Sequence, residues 1–327
     1  MYDYGLSILE QYGLTADTYT RTRGGLLCRT DQGTVIIKEF KGNETKLEQQ
    51  QELLVKLTEK GHKVDSFVRN KEESLVTRDK DNISYTMQCC YEGKECDTRS
   101  ETEILTAVEK LAELHKDMKM DPGEKEKIPD LETEYEKHNR ELRKIRKFIR
   151  KKRPACVFEK KYLESAEDFL RNGEEALEML KSSNYQELRQ EAEETGTVCH
   201  GEYNHHNVIS FRQGIAVTNF NRWSCDIQMK DFYGFMRKIL EKHNWDTELA
   251  GRMLRTYHRK KGISREEWQY LKIRFTYPDK YWKLADYYYT HNKAWISARN
   301  TEKLRKLMEQ KSRWERFIWK CFQKYPF

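Results

Sequence analysis

Residues 200–207 read His-Gly-Glu-Tyr-Asn-His-His-Asn, and Val-Thr-Asn-Phe-Asn follows at residues 217–221. The residues around these two segments predict a strand, a polar loop, a second strand, a turn and a returning strand. Residues 197–199 lead into the loop, residues 208–210 follow it, and Gln-Gly at residues 213–214 turns the chain back. This order holds a polar loop against a short hairpin, so that side chains of both can converge where a phosphate-bound metal would lie.

The two segments resemble the catalytic core of the aminoglycoside/choline-kinase branch of the protein-kinase-like superfamily. The catalytic loop of that branch runs His-Gly-Asp-x-x-x-x-Asn, and His200, Gly201 and Asn207 match it. Glu202 stands where the catalytic Asp would be, and Asn219 stands where the magnesium-chelating Asp would be. The resemblance implies an α+β, bilobal protein-kinase-like fold with a small β-rich N-terminal lobe and a larger helical C-terminal lobe.

Within that branch, the chain is most similar to the CotS-type bacterial spore-coat proteins. Residues 219–224 resemble a degraded form of their Asp-Phe-Asp-Arg segment, and residues 231–238, 277–284 and 292–296 continue the resemblance. The resemblance implies a protein made in the cytoplasm of the mother cell and then placed in the spore coat. Its expected partners are spore-coat proteins or other sporulation factors.

The first 91 residues are predicted to form the N-terminal lobe. Gly24 and Gly25 precede one short apolar segment, and residues 34–40 predict a strong strand that carries Lys38. In the kinase-like interpretation, the two glycines cover the phosphates of a nucleotide and Lys38 contacts its α- and β-phosphates. The glycine pair also fits a simpler role, in which it only shapes a hairpin.

A helix predicted at residues 46–60 follows this strand. Glu48 or Glu52 on it is a candidate partner for Lys38, as the C-helix glutamate is in kinases, and Glu52 is preferred. A solvated surface glutamate is the alternative interpretation. The hinge is expected near Tyr91, where backbone groups from Gln88 to Tyr91 would bind an adenine, and the C-terminal lobe then spans residues 92–327.

Two substitutions weaken the predicted chemistry. Glu202 keeps the negative charge of a catalytic base but is one methylene longer, and productive geometry tolerates only about 0.5 Å of error. Mg²⁺ is usually held by carboxylates together with substrate phosphates, whereas Asn207 and Asn219 offer neutral amide oxygens. With Asn221 also uncharged, Glu202 is the only carboxylate of the predicted metal site. The sequence therefore allows ATP as a cofactor, through Lys38, and argues against Mg²⁺.

Residues 140–153 are the most basic segment of the chain, on a helix predicted at residues 135–153. One interpretation is a surface for a polyanion, such as nucleic acid or an acidic protein. The other is a solvated helix face that the acidic residues Glu191, Glu193 and Glu194 balance. The segment lacks the aromatic platforms and base-reading groups typical of nucleic-acid motifs.

Composition restricts the remaining possibilities. The net charge of +7 over 327 residues is modest, so it permits an acidic or phosphorylated partner without requiring one. We expect no membrane span, because no apolar run reaches about 18 residues. The first residues lack the pattern of a signal peptide, which predicts a cytoplasmic protein. The eight cysteines form no CxxC pair, so we expect reduced thiols.

The leading hypothesis is a kinase-like spore-coat protein that is catalytically impaired, a pseudokinase, and acts in coat assembly or scaffolding. The alternative is an active ATP-dependent phosphotransferase that acts on a hydroxyl of a small molecule such as a sugar or an amino alcohol. In that case Glu202 would be the base, Asn207 and Asn219 weak metal ligands, and Lys38 the phosphate contact. A third hypothesis is a polyanion-binding protein that acts through residues 140–153.

Overall fold

The computed structural model describes residues 6–22, 24–121, 128–290, 298–323 and 325–326. Residues 292–296, which carry part of the family resemblance, lie outside the described residues. The structure is 58% helical and 16% strand, with a sheet-rich N-terminal region and a helical C-terminal region. The predicted α+β class is therefore confirmed.

The strands are β1 (Ala16–Thr22), β2 (Gly25–Thr30), β3 (Gly33–Glu39), β4 (Lys63–Val64), β5 (Phe67–Val68), β6 (Val76–Arg78), β7 (Ser84–Cys89), β8 (Lys94–Glu95), β9 (Val198–Cys199), β10 (Val208–Phe211), β11 (Gly214–Val217) and β12 (Ser224–Cys225). The helices are α1 (Leu9–Tyr12), α2 (Glu44–Glu59), α3 (Glu101–Asp117), α4 (Leu131–Lys152), α5 (Val157–Lys181), α6 (Tyr185–Thr195), α7 (Met229–Lys242), α8 (Thr247–Lys261), α9 (Arg265–Thr276), α10 (Asp279–Thr290) and α11 (Ala298–Phe322).

The chain divides into two compact units. The first comprises Met1–Met120 and Val198–Ser224, and the second comprises Asp121–Thr197 and Cys225–Phe327. The first unit therefore contains both the N-terminal sheet and the loop at residues 200–207. The lobe boundary predicted after residue 91 falls inside the first unit and stays a prediction.

The larger sheet of the first unit has the order β1-β2-β3-β7-β5, with β6 also paired to β7. Side chains alternate between the two faces of a strand. Val35 and Ile37 of β3 are buried in one hydrophobic core together with Cys28 and Met87. Lys38, the next residue along β3, consequently projects from the opposite face.

A second sheet of the first unit has the order β4-β11-β10-β8. Strands β10 and β11 form the hairpin predicted after the polar loop, with Val208 opposite Val217. Strand β4 runs parallel to β11, with Val64 opposite Val217. Because parallel strands end at the same edge of a sheet, the residues after Val64 and Val217 emerge side by side.

Helices α2 and α3 begin at side-chain caps. The Asn43 side chain accepts a hydrogen bond from the Lys46 amide (3.0 Å) at the start of α2. Ser100 caps α3 by accepting from the Glu103 amide (3.3 Å). The Glu103 carboxylate accepts from the Asp97 amide (2.8 Å), so it closes the preceding turn in place of the reciprocal bond to Ser100.

Aromatic rings pack between the helices of the second unit. The rings of Phe169 on α5 and Tyr281 on α10 stack with centroids 4.2 Å apart. Those of Phe275 on α9 and Phe317 on α11 meet edge to face at 5.0 Å. Rings of this size bury about 150–250 Å² each, so a few of them join helices whose surfaces are otherwise highly charged. Among the helices described, none is both long enough and apolar enough to cross a membrane.

Helix α4 is amphipathic, as the basic segment predicted, and carries Leu142, Ile145 and Ile149 on its buried face. On its outer face, Arg143 pairs with Glu174 and Arg146 pairs with Glu167, and both acids belong to α5. The sequence analysis expected Glu191, Glu193 and Glu194 to balance the positive charge of this helix. The acids that pair with Arg143 and Arg146 belong instead to the neighbouring helix α5. The reason is that α4 packs along α5, where Tyr162 donates a hydrogen bond to the Leu142 carbonyl (3.0 Å).

Candidate active site

The loop at residues 200–207 is organised around a buried histidine. The Glu202 amide donates to Nδ1 of His200 (3.2 Å), and Nε2 of the same ring lies 3.0 Å from the Thr218 carbonyl oxygen. Because an amide can only donate, Nδ1 is the acceptor, and the ring proton lies on Nε2, which donates to Thr218. His200 is fully buried. Its ring therefore ties the loop to the end of β11 and takes no visible part in chemistry.

Gly201 is required by the close approach of another backbone segment. Its φ is +77°, and a Cβ at this position would lie 1.8 Å from the Arg222 carbonyl oxygen. No L side chain fits so small a space. The two residues that match the family motif at its start, His200 and Gly201, are thus explained by the loop's own geometry.

Asn207 braces the loop from its far end. Its Nδ2 donates to the Glu202 carbonyl oxygen (2.9 Å), to which Asn204 Nδ2 also donates (2.8 Å). The Asn207 carbonyl oxygen in turn accepts from the Thr218 amide (2.9 Å). The side-chain nitrogen Nδ2 of Asn207 is thus bound to the loop backbone at Glu202. Its side-chain oxygen Oδ1 is the atom that could bind a metal.

The Glu202 carboxylate meets two neighbours at the end of β11. Asn219 Nδ2 donates to Glu202 Oε2 (3.3 Å), and Asn221 Nδ2 donates to Asn219 Oδ1 (2.8 Å). Arg222 Nε lies 3.8 Å from the same carboxylate oxygen. An amide that faces a carboxylate must present its nitrogen, because two acceptor oxygens would repel each other. The structure therefore brings Glu202 and Asn219 together through a hydrogen bond from the side-chain amide to the carboxylate, and their roles as base and metal ligand stay predictions.

Asn219 has a left-handed backbone, with φ of +70°. Asparagine tolerates this conformation better than most residues that have a Cβ. Its amide donates to Asp65 Oδ2 (2.7 Å), which fixes the segment against the residue that follows β4. The substitution at position 219 is thus compatible with the fold as well as with the hydrogen bonds around it.

Asp65 is a buried acid that the sequence analysis did not identify. Its side chain is 3% exposed, and Oδ1 has no hydrogen-bond partner among the described residues. Burial raises the pKa of Asp65 from 3.8 to about 6, although the Asn219 amide and the Lys38 charge act in the opposite direction. Only the pairing of β4 beside β11 places Asp65 next to Asn219, and a two-residue strand leaves no clear sequence signal.

Lys38 lies in this network but without the predicted acidic partner. Its Nζ donates to Gln88 Oε1 (2.9 Å), and Gln88 Nε2 donates to the Asp65 carbonyl oxygen (3.0 Å). Glu48 pairs with Arg69 (2.6 Å), and Glu52 is exposed on α2. The expected pairing of Lys38 with Glu52 or Glu48 is therefore not seen among the described residues. On α2 the helix face toward β5 carries Gln51, whose amide bonds both backbone groups of Phe67.

Gly24 and Gly25 belong to the hairpin that joins β1 and β2, in which Thr22 is opposite Gly25. Gly25 packs against β3, since a Cβ on it would lie 2.5 Å from the Ile37 carbonyl oxygen and 3.0 Å from Lys38 Cγ. Gly25 at the start of β2 therefore lies directly beside the part of β3 that carries Lys38. The structure favours the simpler of the two roles considered for these glycines, and a role in covering phosphates stays a prediction.

The residues of the predicted hinge segment, Gln88 to Tyr91, already make hydrogen bonds and side-chain contacts within the protein. Gln88 is paired on both sides, to Ile36 of β3 and to Phe67 of β5. The amides of the next two residues, 89 and 90, donate to the carbonyl oxygens of residues 66 and 34. Tyr91 packs its ring on Phe211 and donates from its hydroxyl to the Val64 carbonyl (3.2 Å). The amides of residues 89 and 90 are therefore already used within the protein, and binding of an adenine by the segment from Gln88 to Tyr91 stays a prediction.

The donor set does not fit a resident Mg²⁺ ion. Proteins usually hold Mg²⁺ through one or two carboxylates together with water and substrate phosphates, whereas the two metal-ligand positions here, Asn207 and Asn219, offer neutral amide oxygens. The Lys38 ammonium, by contrast, fits the phosphates of a nucleotide as a point charge.

The comparison with protein families decides the family question. The family described as "Spore coat putative kinase YutH" matches residues 6–321. The chain belongs to this family. The YutH match covers nearly the whole chain and confirms the predicted resemblance to CotS-type spore-coat proteins within the kinase-like superfamily. A comparison with the curated proteins found no match.

Solved structures share the fold at low sequence identity. An aminoglycoside phosphotransferase from Alicyclobacillus acidocaldarius is 16% identical, covers 95% of this chain and 93% of its own, and has a TM-score of 0.86. Amicoumacin kinase in complex with AMP-PNP and Ca²⁺ is 12% identical, with coverage of 94% and 89% and a TM-score of 0.58. Choline kinase from Cryptosporidium parvum is 11% identical, with coverage of 96% and 92% and a TM-score of 0.51. The chain of this YutH-family member therefore has the kinase-like fold.

Proposed function

We propose that this protein is a catalytically impaired kinase-like protein of the spore coat, which acts in coat assembly or scaffolding. The observation that carries the proposal is the hydrogen bond from Asn219 Nδ2 to the Glu202 carboxylate. In a working site of this kind the residue at position 219 would be an acid that binds the metal, and the acid at position 202 would orient the attacking hydroxyl. Here a neutral amide donates to the acid directly, and Asn221 occupies the oxygen that Asn219 would offer to a metal.

Electrostatics support the same proposal. An aspartate at position 219 would place a second carboxylate beside Glu202, and the two would repel each other unless nearby positive charge offset them. In this chain, the neutral Asn219 amide and the Arg222 guanidinium both lie against Glu202, so this pair has no such repulsion to offset. These contacts support a structural role for the Glu202 carboxylate.

Family membership supports the proposed role in the spore coat. The family is described by its place in the coat and by its likeness to kinases, and both terms come to this chain as parts of the proposal. A fold that keeps its loops without a metal can serve as a binding surface for coat proteins. We place the protein in the mother-cell cytoplasm first and in the spore coat later.

The alternative function is an ATP-dependent phosphotransferase for a small-molecule hydroxyl, and one observation favours it. The Glu202 side chain is 39% exposed, and the loop around it keeps the His200, Gly201 and Asn207 contacts described above. A carboxylate that is accessible and held in a formed loop can still accept a proton from a hydroxyl. Lys38 would hold the nucleotide phosphates in this case.

One pair of experiments separates the two functions. Purified wild-type protein and the Lys38→Ala variant are assayed for phosphate transfer from ATP to a panel of sugars and amino alcohols with Mg²⁺. In parallel, Lys38→Ala and Glu202→Gln variants replace the wild-type gene in a spore-forming host, and coat composition is measured at matched protein levels.

The proposal predicts no transfer above background and a normal coat in both variants, with a defective coat only when the protein is absent. Transfer by the wild type that Lys38→Ala abolishes would establish the phosphotransferase instead. A coat defect in both variants at normal protein abundance would also contradict the scaffolding role.

A further inference from the structure

Strand β1 forms one edge of the larger sheet. Within the described part of the chain it pairs only with β2, so its other side is an open edge. Every second residue of such a strand directs its backbone N–H and C=O groups away from the sheet. Six of the seven residues of β1 are exposed, and the seventh is half-buried. The open edge is therefore accessible along the whole strand.

The strand lacks most of the features that protect a sheet edge from pairing. Natural proteins protect such edges with short strands, proline, bulges and charged residues, above all lysine. Strand β1 spans seven residues and contains neither proline nor lysine. Its ladder to β2 is irregular between Ala16 and Thr18 and is regular from Thr18 to Thr22. The regular part is therefore available to pair with another strand.

Tyr19 lies on the apolar face of this sheet, beyond the core that covers the rest of the face. It is paired directly opposite Cys28 of β2, and side chains that are directly opposite each other lie on the same face. Cys28 is fully buried in the core of the first unit, whereas Tyr19 is 60% exposed. The core face thus continues outward to an aromatic ring that is mostly open to solvent.

The sequence of β1 is complementary to itself. Residues 17–21 read Asp-Thr-Tyr-Thr-Arg, so a threonine flanks Tyr19 on each side and opposite charges lie at equal distances beyond. In an antiparallel pair of two β1 strands centred on Tyr19, the two tyrosines face each other, threonine faces threonine, and Asp17 faces Arg21 of the other copy. Aromatic, threonine and opposite-charge pairs are all favourable across antiparallel strands. Arg21 already interacts within its own chain, so it enters here only as the charge opposite Asp17.

We propose that β1 binds a second copy of this chain, as an antiparallel strand pair centred on Tyr19. The pair joins the two sheets into one continuous sheet across a twofold axis, so the same surface of both copies forms the interface. Each copy pairs the open backbone groups of the other, and the two Tyr19 rings shield each other from solvent. A seven-residue strand is small beside the roughly 1,200–2,000 Å² that stable complexes bury, so the dimer should be weak. The pairing requires neither nucleotide nor phosphate transfer.

Sedimentation equilibrium of the purified protein, at concentrations up to about 1 mM, tests the pairing. The Tyr19→Lys variant places two ammonium groups opposite each other at the centre of the strand pair. Asp17→Arg places arginine opposite arginine, and the double variant Asp17→Arg/Arg21→Asp restores opposite charges with their positions exchanged. Tyr287→Lys is the control, because it makes the same substitution at an exposed tyrosine of the second unit. Thermal unfolding shows whether each variant is folded.

We expect a reversible monomer–dimer equilibrium for the wild type. Tyr19→Lys should raise its dissociation constant by about tenfold or more, because like charges replace an aromatic pair. Asp17→Arg should raise it severalfold, the double variant should restore it, and Tyr287→Lys should leave it unchanged. A wild type that stays monomeric up to about 1 mM overturns the proposal and leaves the edge to an extended segment of a different protein. A dimer that Tyr19→Lys leaves intact also overturns it, since the copies would then associate through another surface.

Discussion

The buried acid beside Asn219 makes the stability of this protein depend on pH in a direction opposite to that of most aspartates. Burial raises the pKa of Asp65 from 3.8 to about 6, which is a rise of roughly two units. Each unit corresponds to about 1.4 kcal/mol of differential stability between the two protonation states. The ionised form therefore costs the folded state about 3 kcal/mol.

The sign follows from the two pKa values. Below about pH 4 the carboxyl is protonated both in the folded and in the unfolded chain, and the penalty is absent. Between about pH 4 and pH 6 the Asp65 carboxyl is ionised in the unfolded chain but still mostly protonated in the folded chain. In this range the group therefore lowers the free energy of unfolding as pH rises. Above about pH 6 the penalty is complete.

Replacing Asp65 with asparagine isolates this contribution. Asparagine has the shape of the protonated acid, and its Oδ1 can accept from the Asn219 amide that Asp65 now binds. We expect Asp65→Asn to match the wild type near pH 4 and to exceed its free energy of unfolding by about 3 kcal/mol near pH 8. Urea unfolding at both pH values measures the difference.

Asp81→Asn is the matched control, because Asp81 is an exposed aspartate of the same unit. It should change the free energy of unfolding by less than about 0.5 kcal/mol at either pH. A variant at position 65 that is less stable than the wild type near pH 8 would refute the reasoning. It would mean that the ionised Asp65 is stabilised by Lys38 more strongly than burial disfavours it.

Three further results are expected. Gly201→Ala should unfold the loop or the protein, because the new Cβ would lie 1.8 Å from the Arg222 carbonyl oxygen. Circular dichroism and solubility measurements test this, and a stable variant would contradict it. Tyr203→Phe should lower the free energy of unfolding by about 1 kcal/mol, since it removes a buried hydroxyl that donates to a carbonyl oxygen of α3 (2.7 Å). Urea unfolding measures this difference, and an unchanged free energy of unfolding would contradict the prediction. Basic side chains of α4, among them Lys147 and Arg150, line a surface groove. If this groove binds a polyanion, replacing these two residues with alanine should weaken heparin binding and make that binding less dependent on salt concentration. Equal retention of the variant and the wild type on a heparin column would argue against such a site.

The loop could be predicted from sequence because its geometry is local. The three motif residues His200, Gly201 and Asn207 all contact backbone groups between residues 200 and 222. Their identities and spacing are therefore enough to predict the conformation of the loop. The hairpin that follows is also local, since β10 and β11 are joined by a short turn. Recognition of the family and the fold rested on these segments.

The partner of Lys38 could not be predicted in the same way. Which residue of α2 faces β3 depends on the rotation and register of the helix against the sheet, and these depend on tertiary packing. Gln51 rather than Glu52 turns inward and binds Phe67. Asp65 was missed for a related reason, because it is 154 residues away from Asn219 in the chain and only the pairing of β4 with β11 brings the two together.

Titration of the wild type and of the Glu202→Asp/Asn219→Asp double variant with ATP, each with and without Mg²⁺, tests the central claim most directly. The shift in thermal midpoint is the measurement, since a ligand at about 100 times its Kd stabilises a protein by roughly 2.7 kcal/mol. The account predicts that Mg²⁺ adds nothing to the effect of ATP on the wild type and increases it in the double variant. A magnesium-dependent shift in the wild type would contradict the account, because it would show that the Glu202–Asn219 site holds the metal as it stands.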